Sequence, residues 1–224
     1  MLINPNGNAE VTAAMAAQAQ LVLDCKMPGP RCRVLGRTNQ QAPPLLASPA
    51  DMQLAAAGVL ALGVQAEQEQ ACAIIVAAFS DPGMNELRGK VSIPVLGIGE
   101  SAFAEAAKGG RHFGIVTITP DVALLASFTA RATELGVGGQ YCGAHVTQGD
   151  AHTLLANVEQ LDRVLAVAIA ESIADGAQAI ILGGGPLSAA AERLQSQFAV
   201  PLLNPVSAAA RAVVQLGDGR LSKR

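Results

Sequence analysis

The chain has 224 residues, of which half are apolar and only 3% aromatic, and its formal net charge is −3. This length can bury a core of Ala, Val, Leu and Ile, and the scattered charges of both signs disfavour nucleic acid and anionic membranes as partners. No apolar run is long enough to span a bilayer, no signal peptide is visible, and the four cysteines form no CxxC pair. We therefore expect a reduced, cytoplasmic protein.

The first part of the chain alternates short apolar runs with helical patterns. Residues 1–3 start a short strand, and the Asn- and Pro-rich turn after it leads into a helix predicted over 9–23. Further elements are predicted in this order: a strand at 33–35, a proline-rich loop at 41–49, a helix opened by Ser48 or Asp51 and ending near Gln68, and strands at 72–77 and 95–96.

A second round of the same alternation follows. Its predicted elements are a helix at 102–108, a strand at 112–118, a helix at 121–135 stopped by Gly136, a strand at 141–146, a long helix at 151–174 capped by Asp150, strands at 179–182 and 200–203, and a helix at 206–216. The two rounds predict an α/β fold with two similar doubly wound parallel-sheet domains that face each other across a cleft. We place the first domain at residues 1–98 plus 205–224 and the second at 99–204.

Two stretches occupy equivalent positions in these rounds. Residues 74–83 (IIVAAFSDPG) and 179–188 (AIILGGGPLS) each begin as an apolar strand and break into small, polar, Pro and Gly residues. Ligands of open α/β sheets bind outside the carboxyl ends of such strands, so both ends are candidates for one site.

Five motifs stand in order along the chain: 3–6 (INPN), 79–83 (FSDPG), 93–100 (IPVLGIGE), 112–117 (HFGIVT), and 175–177 (DGA) before Leu182-Gly183. Together they resemble the aspartate/glutamate/hydantoin racemase superfamily, and the second and third resemble its hydantoin and allantoin racemase branch. The resemblance covers nearly the whole chain. It implies a cofactor-independent isomerase with one catalytic cysteine from each domain, the two thiols facing opposite sides of a substrate α-carbon.

The sequence departs from this pattern at both cysteine positions. Ala78 stands where the first cysteine is expected and Gly184 where the second is expected, and neither side chain can accept a proton. The nearest replacements are Ser80, a weak base unless another group activates it, and Asp81, which can take a proton if burial disfavours its charged form. The alternative is a turn in which Asp81 caps a helix begun by Pro82.

Residues that would bind a substrate are retained. Asn4, Asn6 and Thr117 resemble the polar loop residues with which the family holds carboxylate or amide groups of its substrate. The run Gly183-Gly184-Gly185 offers backbone N–H groups for an anion nest or oxyanion hole, although glycines at these positions are equally typical of a permissive turn.

Two other kinds of site are weakly indicated. Residues 97–102 (GIGESA) match the G-x-G-x-x-A pattern of dinucleotide sites, but Glu100 would put a negative charge beside the pyrophosphate. His112, His145 and His152 are expected to be structural or solvent-facing. Cys142, three residues before His145, has no second ligand pair that would indicate zinc. We expect neither a cofactor nor a metal.

The sequence thus predicts a racemase-like protein for a small amino acid derivative such as a hydantoin, with catalytic bases that are lost or are not cysteines. The alternatives are a lyase or decarboxylase on the same scaffold, whose enolate the glycine run would stabilise, and a small-molecule binding protein without catalysis. Its partner is expected to be a small molecule with carboxylate or amide groups, and a homo-oligomer is a further expectation.

Overall fold

The structure is a computed structural model that describes residues 1–26, 32–46, 48–184 and 187–221. The chain divides into two compact units. The first consists of Met1–Ser101 together with the chain from Val206 onward, and the second is Ala102–Pro205. Each contains one sheet of four parallel strands, so the expected α/β fold with two doubly wound parallel sheets is confirmed.

The elements of the first unit follow one another along the chain as strands alternating with helices. They are β1 (Leu2–Asn4), α1 (Ala9–Lys26), β2 (Gly36–Thr38), α2 (Pro49–Gln68), β3 (Ile74–Val76), α3 (Met84–Arg88), β4 (Val95–Gly97), the start of α4 (Ile98–Ala106) and α9 (Pro205–Leu221). The strands pair in parallel in the order β2-β1-β3-β4.

Helices cover both faces of this first sheet. Successive side chains of a strand point to opposite faces, so each strand packs against helices on both sides. Leu2 and Ile75 pack with α1 and α9, in a cluster that includes Met15 and Ala209. The adjacent residue Ile3 packs on the other face with residues of α2 and α3. Apolar strands covered on both faces are what the unbroken β-branched runs of the sequence predict.

The second unit repeats this topology. Its elements are the rest of α4, β5 (Phe113–Thr117), α5 (Val122–Glu134), β6 (Tyr141–Val146), α6 (Ala151–Leu155), α7 (Val158–Ala174), β7 (Ile180–Leu182), α8 (Ser188–Leu194) and β8 (Leu202–Leu203). The strand order is β6-β5-β7-β8. Val116, Ile180 and Leu182 pack on one side against α6, α7 and α8 in a single apolar cluster.

Several predicted elements are wrong in position or length, and three of them change the reading of the chain. The strand expected at 33–35 is β2 at Gly36–Thr38, because the side-chain oxygen of Gln20 accepts the N–H of Val34 and sheet pairing begins only with Leu2 opposite Gly36. The long helix at 151–174 is two helices, since Asn157 is extended and caps a new helix by accepting the N–H of Gln160.

The third correction concerns α4. It begins at Ile98, directly after β4, and not at residue 102. Several predicted caps are confirmed: Ser48 and Asp51 form a capping box on α2, Asp121 caps α5, and Gly136 ends it with φ +74°.

Candidate functional site

The strand order identifies the ligand-binding edge of each sheet. In the order β2-β1-β3-β4 the winding direction reverses between β1 and β3, and in β6-β5-β7-β8 it reverses between β5 and β7. Ligands bind at such switch points, outside the carboxyl ends of the strands. In the first unit, Asn4 ends β1 and Ala78 follows β3. In the second unit, Thr117 ends β5 and Gly184 follows β7. The predicted site residues therefore lie at the switch point of their own unit.

Asn4 is completely buried, and its amide organises the turn after β1. The amide nitrogen donates to Oδ1 of Asn6 at 2.8 Å, to the carbonyl of Asn8 at 3.1 Å and to Oγ1 of Thr12 at 3.0 Å. Its oxygen accepts the N–H of Asn6 at 3.2 Å. Because both ends of the amide are engaged inside the turn, Asn4 is placed to shape this loop.

Asn6 is the more accessible of the two asparagines. Its Oδ1 accepts from the Asn4 amide and from the N–H of Asn8 at 3.0 Å, whereas no described residue accepts a hydrogen bond from its Nδ2. This leaves an oriented amide donor at the carboxyl edge of the sheet. Beneath it, Thr12 and Thr38 share a hydrogen bond of 2.7 Å between their hydroxyls. We did not predict this threonine pair; the only signal was the position of Thr12 one helical turn after Asn8.

The segment after β3 exposes Ser80. The N–H of Ala77 still pairs with the carbonyl of Ile3 at 2.8 Å, Ala78 is half-buried, and the N–H of Asp81 closes a turn onto the carbonyl of Ala78 at 2.9 Å. The hydroxyl of Ser80 has no hydrogen-bond partner among the described residues, so no neighbouring base activates it.

Asp81 is buried, with 6% of its surface exposed, and both of its oxygens are occupied. Oδ1 accepts the N–H of Gly99 at 2.9 Å and Oδ2 accepts the N–H of Glu100 at 2.7 Å. The carboxylate thus sits on the first turn of α4, where the N–H groups of a helix favour a negative charge. Asp81 is a helix cap, but for α4. The helix that follows Pro82 starts at Met84 with Gly83 as its N-cap.

The glycines of the G-x-G pattern make room for this carboxylate. A Cβ on Gly97 would lie 2.2 Å from Cγ of Asp81, and one on Gly99 would lie 2.0 Å from the carbonyl oxygen of Phe79. The first turn of α4, where a dinucleotide pyrophosphate would bind, already holds the Asp81 carboxylate. The geometry therefore explains the pattern without a nucleotide.

In the second unit, most of the predicted site residues hydrogen-bond to their own loop or to the neighbouring strand. Thr117 is 1% exposed, and its hydroxyl oxygen accepts the N–H of Thr119 at 3.3 Å. The N–H of Gly183 donates to the carbonyl of Val116 at 2.9 Å and so continues the sheet. Gly184 is half-buried with φ +138°, and no described residue accepts its N–H. Gly185 lies outside the described residues, so the predicted anion nest can be described only at Gly183 and Gly184.

None of the four cysteines lies at these carboxyl edges. Cys32 and Cys72 precede β2 and β3 at the opposite edge of the first sheet, Cys25 is exposed on α1, and Cys142 is the second residue of β6. Burial raises the pKa of the Cys32 and Cys142 thiols above the usual value. A thiol of raised pKa is less often the thiolate that proton abstraction requires.

No metal centre competes with this assignment in the described part of the chain, where no three His, Cys, Asp or Glu side chains are grouped to hold an ion. His145 lies 3.3 Å from the carboxylate of Asp175 and 3.9 Å from that of Glu171. No helix among the described residues is long and apolar enough to cross a membrane.

Comparison with known proteins decides the family. The model of the Asp/Glu/hydantoin racemase family matches residues 1–213. The chain belongs to the Asp/Glu/hydantoin racemase family. A hydantoin racemase of Rhizobium meliloti is 29% identical over 97% of this chain and 88% of its own length. One from Paenarthrobacter aurescens is 27% identical over 96% and 89%.

Among solved structures, the allantoin racemase from Klebsiella pneumoniae superposes with a TM-score of 0.82 at 25% identity, covering 97% of this chain and 86% of that one. These similarities support the hydantoin and allantoin racemase branch of the family. Within this racemase family, the carboxyl edge of each sheet is a candidate site in its own unit, and Ala78 and Gly184 stand where the resemblance places the two cysteines.

Proposed function

We propose that this family member binds a small hydantoin-type amino acid derivative and that it does not racemise its ligand by thiol chemistry. The observation that supports the proposal is that the predicted binding residues and the cysteines lie in different places. Polar and glycine residues occupy the carboxyl edges of both sheets, whereas all four cysteines lie elsewhere.

The donors at these edges match the chemistry of such a ligand. A hydantoin ring presents two carbonyl oxygens and two ring N–H groups. Nδ2 of Asn6 and the N–H of Gly184 are donors without a described acceptor, and each is suited to a carbonyl or carboxylate oxygen. Asn4 and Thr117 support the loops that present them. The substrate class is inferred from the curated relatives, which are hydantoin racemases.

The remaining question is which group moves the α-proton. General acid–base catalysis contributes about 10²–10⁴-fold and requires a positioned base. Ser80 is exposed but has no activating partner among the described residues. Protonating Asp81 would break one of its two hydrogen bonds to the first turn of α4. The geometry supports Asp81 as a residue that positions the loop after β3, and we propose that the thiol bases are lost without an equivalent replacement.

The test combines binding with proton exchange. Calorimetry with hydantoins, allantoin and free amino acids measures binding, and NMR in D₂O measures exchange of the α-proton. We expect binding of a hydantoin-type compound, with slow or absent exchange that alkylation of the cysteines leaves unchanged. The variant Asn6→Asp, which replaces the donor by a charge, should lose the binding. Fast exchange that alkylation abolishes would contradict the proposal.

One observation favours decarboxylation as a second candidate. Loss of CO₂ produces an enolate without removing a proton, so it needs a donor for the enolate oxygen and not a base. The N–H of Gly184, for which no described residue is an acceptor, is such a donor. Incubation with 2-substituted malonates distinguishes the candidates, because only a decarboxylase releases CO₂ from them. The absence of CO₂ with every malonate tested would leave the binding function.

A further inference from the structure

Two cysteines meet at the amino edge of the first sheet, away from the carboxyl edge that carries the candidate site. Cys32 lies four residues before β2 and Cys72 two residues before β3. The start of β1 connects these segments. The N–H of Leu2 donates to the carbonyl of Leu35, and the N–H of Ile75 donates to the carbonyl of Met1, both at 2.8 Å.

The two thiols share one small cavity. Its other walls are mainly apolar and include Val34, Leu23 of α1, and Val213 of α9. Cys32 is half-buried and Cys72 is exposed. Burial, together with the neighbouring Cys72 thiol, raises the pKa of Cys32. One accessible thiol therefore lies beside one protected thiol, about 40 residues apart in the chain.

We propose that Cys32 and Cys72 form a dithiol site that a peroxide oxidises reversibly to an intrachain disulfide. The thiolate of Cys72, the more exposed residue, attacks one peroxide oxygen and breaks the O–O bond, giving a sulfenic acid and, with one proton, water or an alcohol. The thiol of Cys32 then attacks the sulfenic sulfur, the S–S bond forms, and the hydroxyl leaves as water with the thiol proton. The peroxide accepts both electrons, and an external thiol restores the pair.

The bond would change stability more than ligand binding. It would link the segments before β2 and β3 across the start of β1 and close a loop of about 40 residues, which restricts the unfolded chain. From the usual effect of such loops, we expect the melting temperature to rise by about 5–10 °C. Ligand affinity should stay unchanged because Asn6 lies at the other end of β1.

The experiment uses the full chain with Cys25→Ser and Cys142→Ser, so that only the proposed pair remains. After treatment with hydrogen peroxide, thiol titration should fall from two thiols to none. A digest without reductant should contain the linked Cys32 and Cys72 peptides, and dithiothreitol should restore both thiols and the original melting temperature. In matched variants that also carry Cys32→Ser or Cys72→Ser, the melting temperature should not rise.

Two results would overturn the proposal. One is stepwise oxidation of the separate thiols to sulfinic acid without a linked peptide. The other is linkage only between different molecules, seen as a dimer in a non-reducing gel. Because the outcome is read from peptides and thermal unfolding, it is independent of whether the chain binds a hydantoin.

Discussion

At the scale of single residues, Asp81 combines an unfavourable backbone with favourable hydrogen bonds. Its φ of +48° is in the left-handed region, which costs a non-glycine residue about 1–3 kcal/mol. The two hydrogen bonds from Gly99 and Glu100 and the charge at the start of α4 offset this cost. The carboxylate favours aspartate over asparagine at this position, since both adopt the left-handed region readily but only the carboxylate offers two acceptor oxygens.

The first prediction follows from this geometry. In Asp81→Asn, one end of the side chain becomes an NH₂ group facing a backbone N–H, so one buried donor loses its acceptor. We expect the free energy of unfolding to fall by about 1–3 kcal/mol, measured by urea titration. The matched control is Asp121→Asn, because Asp121 accepts a single N–H, from Leu124 at 2.7 Å, at an exposed cap where asparagine works equally well.

An equal, small effect of both substitutions would show that Asp81 does not hold α4 in place. If the wild-type chain exchanges the α-proton of a ligand and Asp81→Asn loses this exchange with unchanged stability, the result would instead support Asp81 as a base.

The alternative interpretation of the sequence, in which Asp81 caps a helix, named the helix after Pro82, whereas the carboxylate accepts from the first turn of α4. Capping signals are read from residues within a few positions, and they pointed to the helix after Pro82. The real acceptor–donor contact joins residues 18 and 19 positions apart, and only the sheet brings β3 and β4 side by side to make it. The strands and the polar turns were predictable for the opposite reason, because their patterns are local.

At the scale of elements, the junction of β4 and α4 shows why local patterns can mislead. Its G-x-G pattern is typical of a nucleotide loop, but here it provides space for the Asp81 carboxylate and the carbonyl of Phe79. The prediction of one long helix at 151–174 was wrong for a similar reason. Leu154 and Leu161 continue one apolar stripe across a break that the Asn157 cap imposes.

The second prediction tests this junction. In Gly97→Ala the new Cβ would overlap the Asp81 carboxylate, so we expect a loss of about 1–3 kcal/mol in the free energy of unfolding. Gly139→Ala is the control, since no atom lies within 4 Å of a Cβ placed there. In an Asp81→Ala background the cost of Gly97→Ala should shrink, and a double-mutant cycle measures this coupling. Additive effects would contradict the proposed contact.

The third prediction concerns an aromatic cluster formed by α4, β5 and β6. The rings of Phe103 and Phe113 meet edge to face at 5.6 Å, and Tyr141 lies 5.6 Å from Phe113. Burial in this cluster raises the pKa of Tyr141 from 10.0 to about 12. Tyr141 is the only tyrosine and the chain has no tryptophan, so absorbance at 295 nm reports it alone.

We expect a titration midpoint near pH 12 in the native protein and near 10 in urea. Because the folded state holds the proton more tightly, the contribution of Tyr141 to stability is complete below pH 10 and is lost as the pH rises through 12. Phe103→Ala should lower the native midpoint. An unshifted native midpoint would mean that the ring is solvated.

At the scale of the whole molecule, the same topology appears twice in one chain. In each sheet the two central strands are the first and third strands of that unit along the chain, β1 and β3 in the first and β5 and β7 in the second. Both switch points carry residues that the family resemblance assigns to substrate binding. This duplication was predictable because the α/β alternation repeats in the sequence. Chemistry was less predictable, since the resemblance places cysteines at Ala78 and Gly184 but does not indicate which other groups would act in their place.

The last prediction places a thiol at each position where the resemblance assigns one. The resemblance assigns one thiol to each unit, and racemisation needs one group to remove the α-proton and another to return it on the opposite face. Ala78→Cys combined with Gly184→Cys should therefore accelerate α-proton exchange of a bound hydantoin in D₂O by about 10²-fold or more, with loss of optical activity. Ala78→Cys alone should give little racemisation, because a single thiol serves one face.

Backbone strain at Gly184 sets the necessary control. Its φ of +138° disfavours any side chain, so Gly184→Cys will destabilise the second unit whether or not the thiol functions. Ala78→Cys with Gly184→Ala carries the same strain without the second thiol and should not racemise. If the double cysteine variant folds, binds the hydantoin and exchanges no faster than this control, Ala78 and Gly184 are not proton-transfer positions, and the family's chemistry cannot be assigned to this chain through them.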